Sequence, residues 1–305
     1  MTADSLTVLH SVHRKHAAKQ FTLVKGKKGS PDTIRNKNYG SERYFRVEEI
    51  AISNATELNA ALDRLTHNPF AFIIRGAPLR NINRSHTRRL SHKDPKTGDP
   101  ATFESMPRRW LSVDLDHLTA PPLTDVINYP VDAVHHAISL LPPEFRDITC
   151  FWQFSSSQGL PGSENFLSPH LWYWGAQFYS DDELTRWANF VNRDGRLVDA
   201  ALFRTVQAHH IAAPLFFNLD DPLPLRHGVW SGLEDELKLI IPPPDAKDPT
   251  NVSSEGYEPG IGVRAFLAQI GGPHGFRRPT FQAISSYIAI HGSRADLQPL
   301  YAKIR

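Results

Sequence analysis

The chain has 305 residues, 40% of them hydrophobic and 22% charged, with a formal net charge of +2, enough for one large domain or two ordinary ones with a substantial core. No apolar run approaches the roughly 20 residues of a membrane span, and the single cysteine, Cys150, excludes an intrachain disulfide and a cysteine-based zinc site. The polar amino terminus lacks the apolar core of a signal peptide, so the expectation is a cytoplasmic protein with no membrane partner.

In chain order, residues 5–18 carry Leu6, Leu9 and Val12, with His13 and His16, at helical spacing, which predicts an amphipathic opening helix. Residues 25–42 read as a polar loop, so 1–45 form a basic helix-and-loop segment. A strand over 43–52 and a helix over 53–68 follow. Asn54 and Glu57 have capping-box spacing, and Leu58, Leu62 and Leu65 share a face. The run 70–76 is a short buried strand, and 77–107 has no periodicity and reads as a long loop. A strand over 108–118 precedes a helix over 129–142 with Val131, Val134, Ile138 and Leu141 as its core stripe. Two strands cover 147–157 and 166–175. A helix over 180–195 opens on a Ser180/Glu183 capping box and closes at Gly195. Strands over 211–218 and 236–241 complete a catalytic unit spanning 46–241. Residues 242–260 are a linker by composition, and 261–305 a small helical extension. The whole is an α+β chain.

The small net charge hides two basic stretches. Residues 14–43 hold nine lysines and arginines against Asp32 and Glu42, and a second stretch runs through Arg75, Arg80, Arg84, Arg88, Arg89, Lys93, Lys96, Arg108 and Arg109. The second leads directly into two aspartates. Read as a strand, 108–118 points Leu111, Val113 and Leu115 one way and Trp110, Ser112, Asp114 and Asp116 the other. Neighbouring carboxylates at the end of an apolar strand repel each other and resist desolvation, which a divalent cation offsets. Cations beside such a pair point to a polyanionic, phosphate-bearing substrate.

Two further groups could complete a site. Ser168 and His170 share a strand face and can both donate to phosphate oxygens, and the serine run around Ser156, with Gly159, suits a turn that presents backbone N–H groups. A third carboxylate comes from Asp199, Asp220 or Asp221. Asp220 and Asp221 precede Pro222 and look like turn residues, whereas Asp199 lies between apolar residues with Arg204, Gln207 and His209 downstream. Asp199 is preferred. The histidines at 10, 13, 16, 135, 136, 209 and 210 do not point to zinc, because cysteine partners and a spaced acidic third ligand are missing.

The order of these pieces, "SVDLD", then "SPH", then "LVD", resembles the signature of the archaeo-eukaryotic primase (primase-polymerase) superfamily. The flanks "FAFIIRGAP", "VDAALFRTVQAHHIAAPLF" and "GPHGFRRPTFQAISSYIAIHG" resemble the replication primases of plasmids, phages and integrative elements. The likeness spans roughly residues 70–292, with only the short motifs specific. Where the family pattern has Tyr-Thr, this chain has His210-Ile211, so no role carries over to His209 or His210.

The resemblance implies a catalytic core with a modified RRM-like mixed sheet flanked by helices, followed by a small C-terminal helical extension. It implies a DNA-dependent primase or primase-polymerase of a bacterial host or mobile element. Asp114, Asp116 and Asp199 would be catalytic and bind two Mg²⁺ or Mn²⁺ ions. Ser168 and His170, with Ser156, Arg204 and Gln207, would contact a nucleoside triphosphate (NTP or dNTP). Single-stranded DNA template would cross Arg80, Arg84, Arg88, Arg89, Arg108 and Arg109, and a replicative helicase is a partner in cis or trans. The alternatives are a non-catalytic origin-binding initiator and a two-metal nuclease.

Overall fold

The computed structural model describes residues 3–28, 30–116, 118–121, 124–195 and 197–244. The chain divides into two units, Met1–Pro242 and Pro243–Arg305; the first is described here. Most of the 242–260 linker and all of the 261–305 extension lie outside the described residues. Strands β1 (Asp4–Ser11), β2 (Gln20–Val24), β3 (Thr33–Lys37) and β4 (Phe45–Ile52) precede helix α1 (Ala55–Thr66). Next come β5 (Ala71–Ile74), the short β6 (Ala77–Pro78) and β7 (Phe103–Glu104), β8 (Arg108–Asp114), β9 (Leu118–Thr119) and α2 (Pro130–Ser139). β10 (Cys150–Phe154), β11 (Phe166–Leu167), β12 (Pro169–Tyr179), α3 (Asp181–Val191), β13 (Leu215–Phe217) and β14 (His227–Trp230) follow.

The architecture is α+β, built on two principal sheets ordered β4-β1-β5 and β14-β10-β12-β8. All pairings within both sheets are antiparallel. Parallel pairing occurs in a third sheet, β13-β2-β3, where β13 runs parallel to β2, and at the isolated bridges Ile148–Glu234 and Gly175–Leu237. The larger sheet is buried on both faces. Leu111, Val113 and Leu115 pack with α2 and α3 through Val134, Ile138, Leu184 and Trp187. On the other face Trp110, Phe151, Trp172 and Trp174 meet Leu6, Val8 and the α1 residues Leu58, Leu62 and Leu65. Each of those leucines contributes about 1.5–3 kcal/mol by burial. α1 thus fills the space between the two principal sheets, as its predicted face requires. Its cap is Asn54, whose side chain accepts from Glu57 N, while Glu57 reaches back to Ser53.

Several expectations are corrected. The opening segment is no helix: β1 is the central strand of its sheet, with Leu6 and Val8 on one face and Leu9 among Phe45, Val47 and Phe72 on the other. Leu6 and Leu9 imitate helical spacing because a doubly buried strand is apolar on both faces, while Val12 lies past the end of β1 and is exposed. Residues 25–42 include β3, so 1–45 belong to the folded unit rather than forming a helix and loop. Val131 is exposed, and Ala133 and Ala137 take its place in the α2 stripe beside Val134 and Ile138. Residues 236–241 form only an isolated bridge at Leu237, with another just before them at Glu234, and the edge strand is β14.

Candidate active site

The β8–β12 pairing places His170 directly opposite Asp114. His170 Nε2 lies 3.1 Å from Asp114 Oδ1, with both side chains partly exposed. Asp114, the last residue of β8, and Asp116, in the turn after it, both open on one cavity of about 290 Å³, together with Ser156, Ser168, His170 and Lys19. A neighbouring cavity of about 170 Å³ again contains Asp114 and His170, now with Asp199 and Gln207. Asp199 caps a short 3-10 turn, Ala200–Phe203, its Oδ1 accepting from Ala201 N at 3.0 Å.

The serine wall is a tight turn held from behind. Ser155 N donates to Ser168 O at 2.8 Å, and Ser168 N to Gln158 Oε1 at 3.0 Å. Gly159 has φ +86°, and a Cβ there would sit 3.0 Å from Leu223, so the turn favours glycine. Arg226, buried, donates to Ser155 O at 2.9 Å and Gln158 O at 3.2 Å and is paired with Asp221. Asp221 is therefore committed to bracing the turn, whereas Asp199 lines the second cavity beside Asp114. Sequence reasoning passed over Arg226; its spacing of five from Asp221 across a Pro-rich turn was the available signal.

Tyr39 and His210 form another wall, their rings stacked with centroids 3.6 Å apart. His210 Nδ1 donates to Ala17 O at 2.9 Å, and burial pushes its pKa down to about 4. His209 is buried beside Trp110 and Trp172, hydrogen-bonded through Nδ1 to Ser112 Oγ at 2.8 Å; burial lowers it to about 3. Both imidazoles are neutral at ordinary pH. Desolvation raises the Tyr39 pKa, and the Asp114 and Asp116 carboxylates raise it further, so its hydroxyl, in hydrogen-bond reach of Ser156, stays protonated. No sequence motif marked Tyr39 or Lys19; they arrive from the amino-terminal strands.

The basic residues expected to carry DNA divide. Arg108 is buried, with Nη1 3.0 Å from Asp4 Oδ1 and Nε donating to Arg75 O at 2.8 Å. Arg109 is buried over the Trp174 ring and donates to Gly175 O. Neither is free to meet a template: both stitch β8 to the elements around it. Arg88 is held by Asp94 at 2.6 Å and by Asp99, and Arg89 donates to Val206 O above the Phe72 ring. Arg84 is exposed but paired with Glu49, and Arg80 is exposed. Arg204 lies with Gln207 in a different cavity, beside Arg89 and Asp181, and lines neither carboxylate cavity. Exposed Arg35 and Lys37 on β3 instead lead straight into Tyr39.

Among the described residues, the one group of three possible ligands with donor atoms all within 4.8 Å is Asp63, His67 and His227, a possible metal-binding triad. Asp114, Asp116 and Asp199 are more widely spread around their cavities. The sequence signal for the triad is Asp63-x-x-x-His67 at one-turn spacing on α1, outside the histidine clusters named above. No family model, no curated protein and no solved structure matches this chain. Among the described residues no helix is long and apolar enough to cross a membrane.

Proposed function

We propose that this chain is a metal-dependent nucleotidyltransferase of the archaeo-eukaryotic primase type, making or extending primers on single-stranded DNA. The observation that carries the reading is the position of Asp114, which shares one cavity with Asp116 and the serine turn and the other with Asp199, with His170 in both. A carboxylate flanked on two sides by others suits a pair of ions with one common ligand. Hard oxygen donors fit Mg²⁺ or Mn²⁺, and their spread fits ions that complete their shells with water and substrate phosphate. Bound there, such ions would neutralise triphosphate charge and lower the pKa of the attacking hydroxyl. Ser156, Ser168, His170 and Lys19 offer donors to phosphate oxygens, and the Tyr39–His210 stack offers a flat face to a base or sugar. The template surface is assigned to β3 and its Arg35 and Lys37 rather than to Arg108 and Arg109.

The test is incubation with Mg²⁺ or Mn²⁺, labelled nucleotides and a single-stranded template. Products longer than the input are expected. Shortened products alone would overturn the reading in favour of a two-metal nuclease, and unchanged DNA that remains bound would favour a non-catalytic initiator.

A further inference from the structure

We propose that Asp63, His67 and His227 form a binding site for a zinc-class divalent ion, one that clips the end of α1 to the edge strand β14. Asp63 and His67 are four apart on the last turn of α1, with His67 as the C-cap, so their side chains project from one face. His227 arrives from β14, the outer strand of the larger sheet. Asp63 Oδ1 and His227 Nε2 are 3.3 Å apart. Ligand bonds of about 2.0–2.1 Å in tetrahedral array put neighbouring donors about 3.3 Å apart, so two ligands already have the separation zinc requires. The donors of all three residues lie within 4.8 Å of one another, and exposed His67 stands edge-on to the His227 ring, their centroids 6.0 Å apart.

The surroundings favour a cation over a simple ion pair. The site sits at a helix carboxyl end, where the unpaired carbonyls carry partial negative charge. His227 packs on Phe151, which holds the ring with Nε2 turned toward Asp63. Two imidazoles and one carboxylate select Zn²⁺ over Mg²⁺, which prefers oxygen, and leave a fourth position for water. None of the three residues lines either carboxylate cavity, so the site is independent of the proposed polymerase chemistry. The ion would join α1, which packs between the two principal sheets, to an edge strand whose only ladder partner among the described residues is β10.

The test is titration of the full chain, stripped of transition metals, with Zn²⁺ in buffer holding saturating Mg²⁺, read by calorimetry and by melting temperature. One equivalent should bind and raise the melting temperature. His67→Ala, which leaves the Asp63–His227 pair intact at an exposed position, should weaken zinc binding at least tenfold, since losing a mere outer-shell partner costs about tenfold to a hundredfold. Asp63→Asn should weaken it comparably. Absence of saturable binding, or wild-type affinity in His67→Ala, would overturn the assignment.

Discussion

His170 Nε2 lies 3.1 Å from Asp114 Oδ1 because the two residues are direct partners across the β8–β12 ladder. The contact is imposed by backbone register, which the buried residues on both faces of the sheet hold in place. A one-residue slip would bury Asp114 and expose Val113. The pair is therefore a rigid platform, and substitutions at it should report on chemistry more than on folding.

Asp114→Asn and Asp116→Asn should each lower nucleotide incorporation on a primed single-stranded template by about a hundredfold or more. Circular dichroism melting should show little change, because both side chains border solvent. A comparable collapse of both measurements would make the carboxylates structural.

His170→Ala should weaken nucleotide binding while leaving DNA affinity nearly intact. Fluorescence titration with a labelled nucleotide and with labelled single-stranded DNA separates the two, and equal losses would argue against the assignment.

Charge reversal at Arg35 and Lys37 should weaken DNA binding and flatten its salt dependence, by about 1.4 in logarithmic slope if two single-strand phosphate contacts are lost. Arg88→Glu should act differently. It leaves Asp94 and Asp99 facing a third acid, so it should lower the melting temperature and leave the salt slope unchanged.

Acid should destabilise the fold early. Burial depresses His209 to about 3 and His210 to about 4 in the folded chain, against 6.5 when unfolded. The unfolded chain therefore binds more protons between these values, so stability is full above pH 6.5 and falls as pH drops toward 4. Each histidine contributes a slope of up to about 1.4 kcal/mol per pH unit. Urea denaturation at pH 7.5, 6 and 5 should show the fall, and His209→Asn should make it shallower.

Arg226→Ala should cost about 1–3 kcal/mol by stranding carbonyls of the serine turn and the Asp221 carboxylate. It should also raise the Michaelis constant for nucleotide more than it lowers turnover, since Arg226 positions Ser155–Ser157 from behind. A pure stability loss with unchanged kinetics would remove it from the site.

Local pattern made much of the chain legible. The α1 leucines, the Ser180/Glu183 box of α3 and the alternation of β8 were all readable, because periodicity and capping are properties of neighbouring residues. The same alternation predicts Asp114 and Asp116 on one face, and both line one cavity; the turn chemistry around Pro222 marks Asp221 as a turn residue, where it pairs with Arg226. β1 was misread because a strand buried on both faces loses its alternation.

What only the tertiary structure decided was which distant groups meet. Whether an arginine is a surface cation or an internal brace depends on partners such as Asp4, Gly175 and Glu236, which lie 66 to 127 residues away in no sequence pattern. Tyr39, Lys19 and Arg226 join the carboxylates, and His227 joins Asp63 and His67, only through strand pairing across the fold. Sequence determines the faces of each element through nearest-neighbour geometry; packing alone chooses what those faces confront, because that choice rests on the burial of whole surfaces rather than on any local rule.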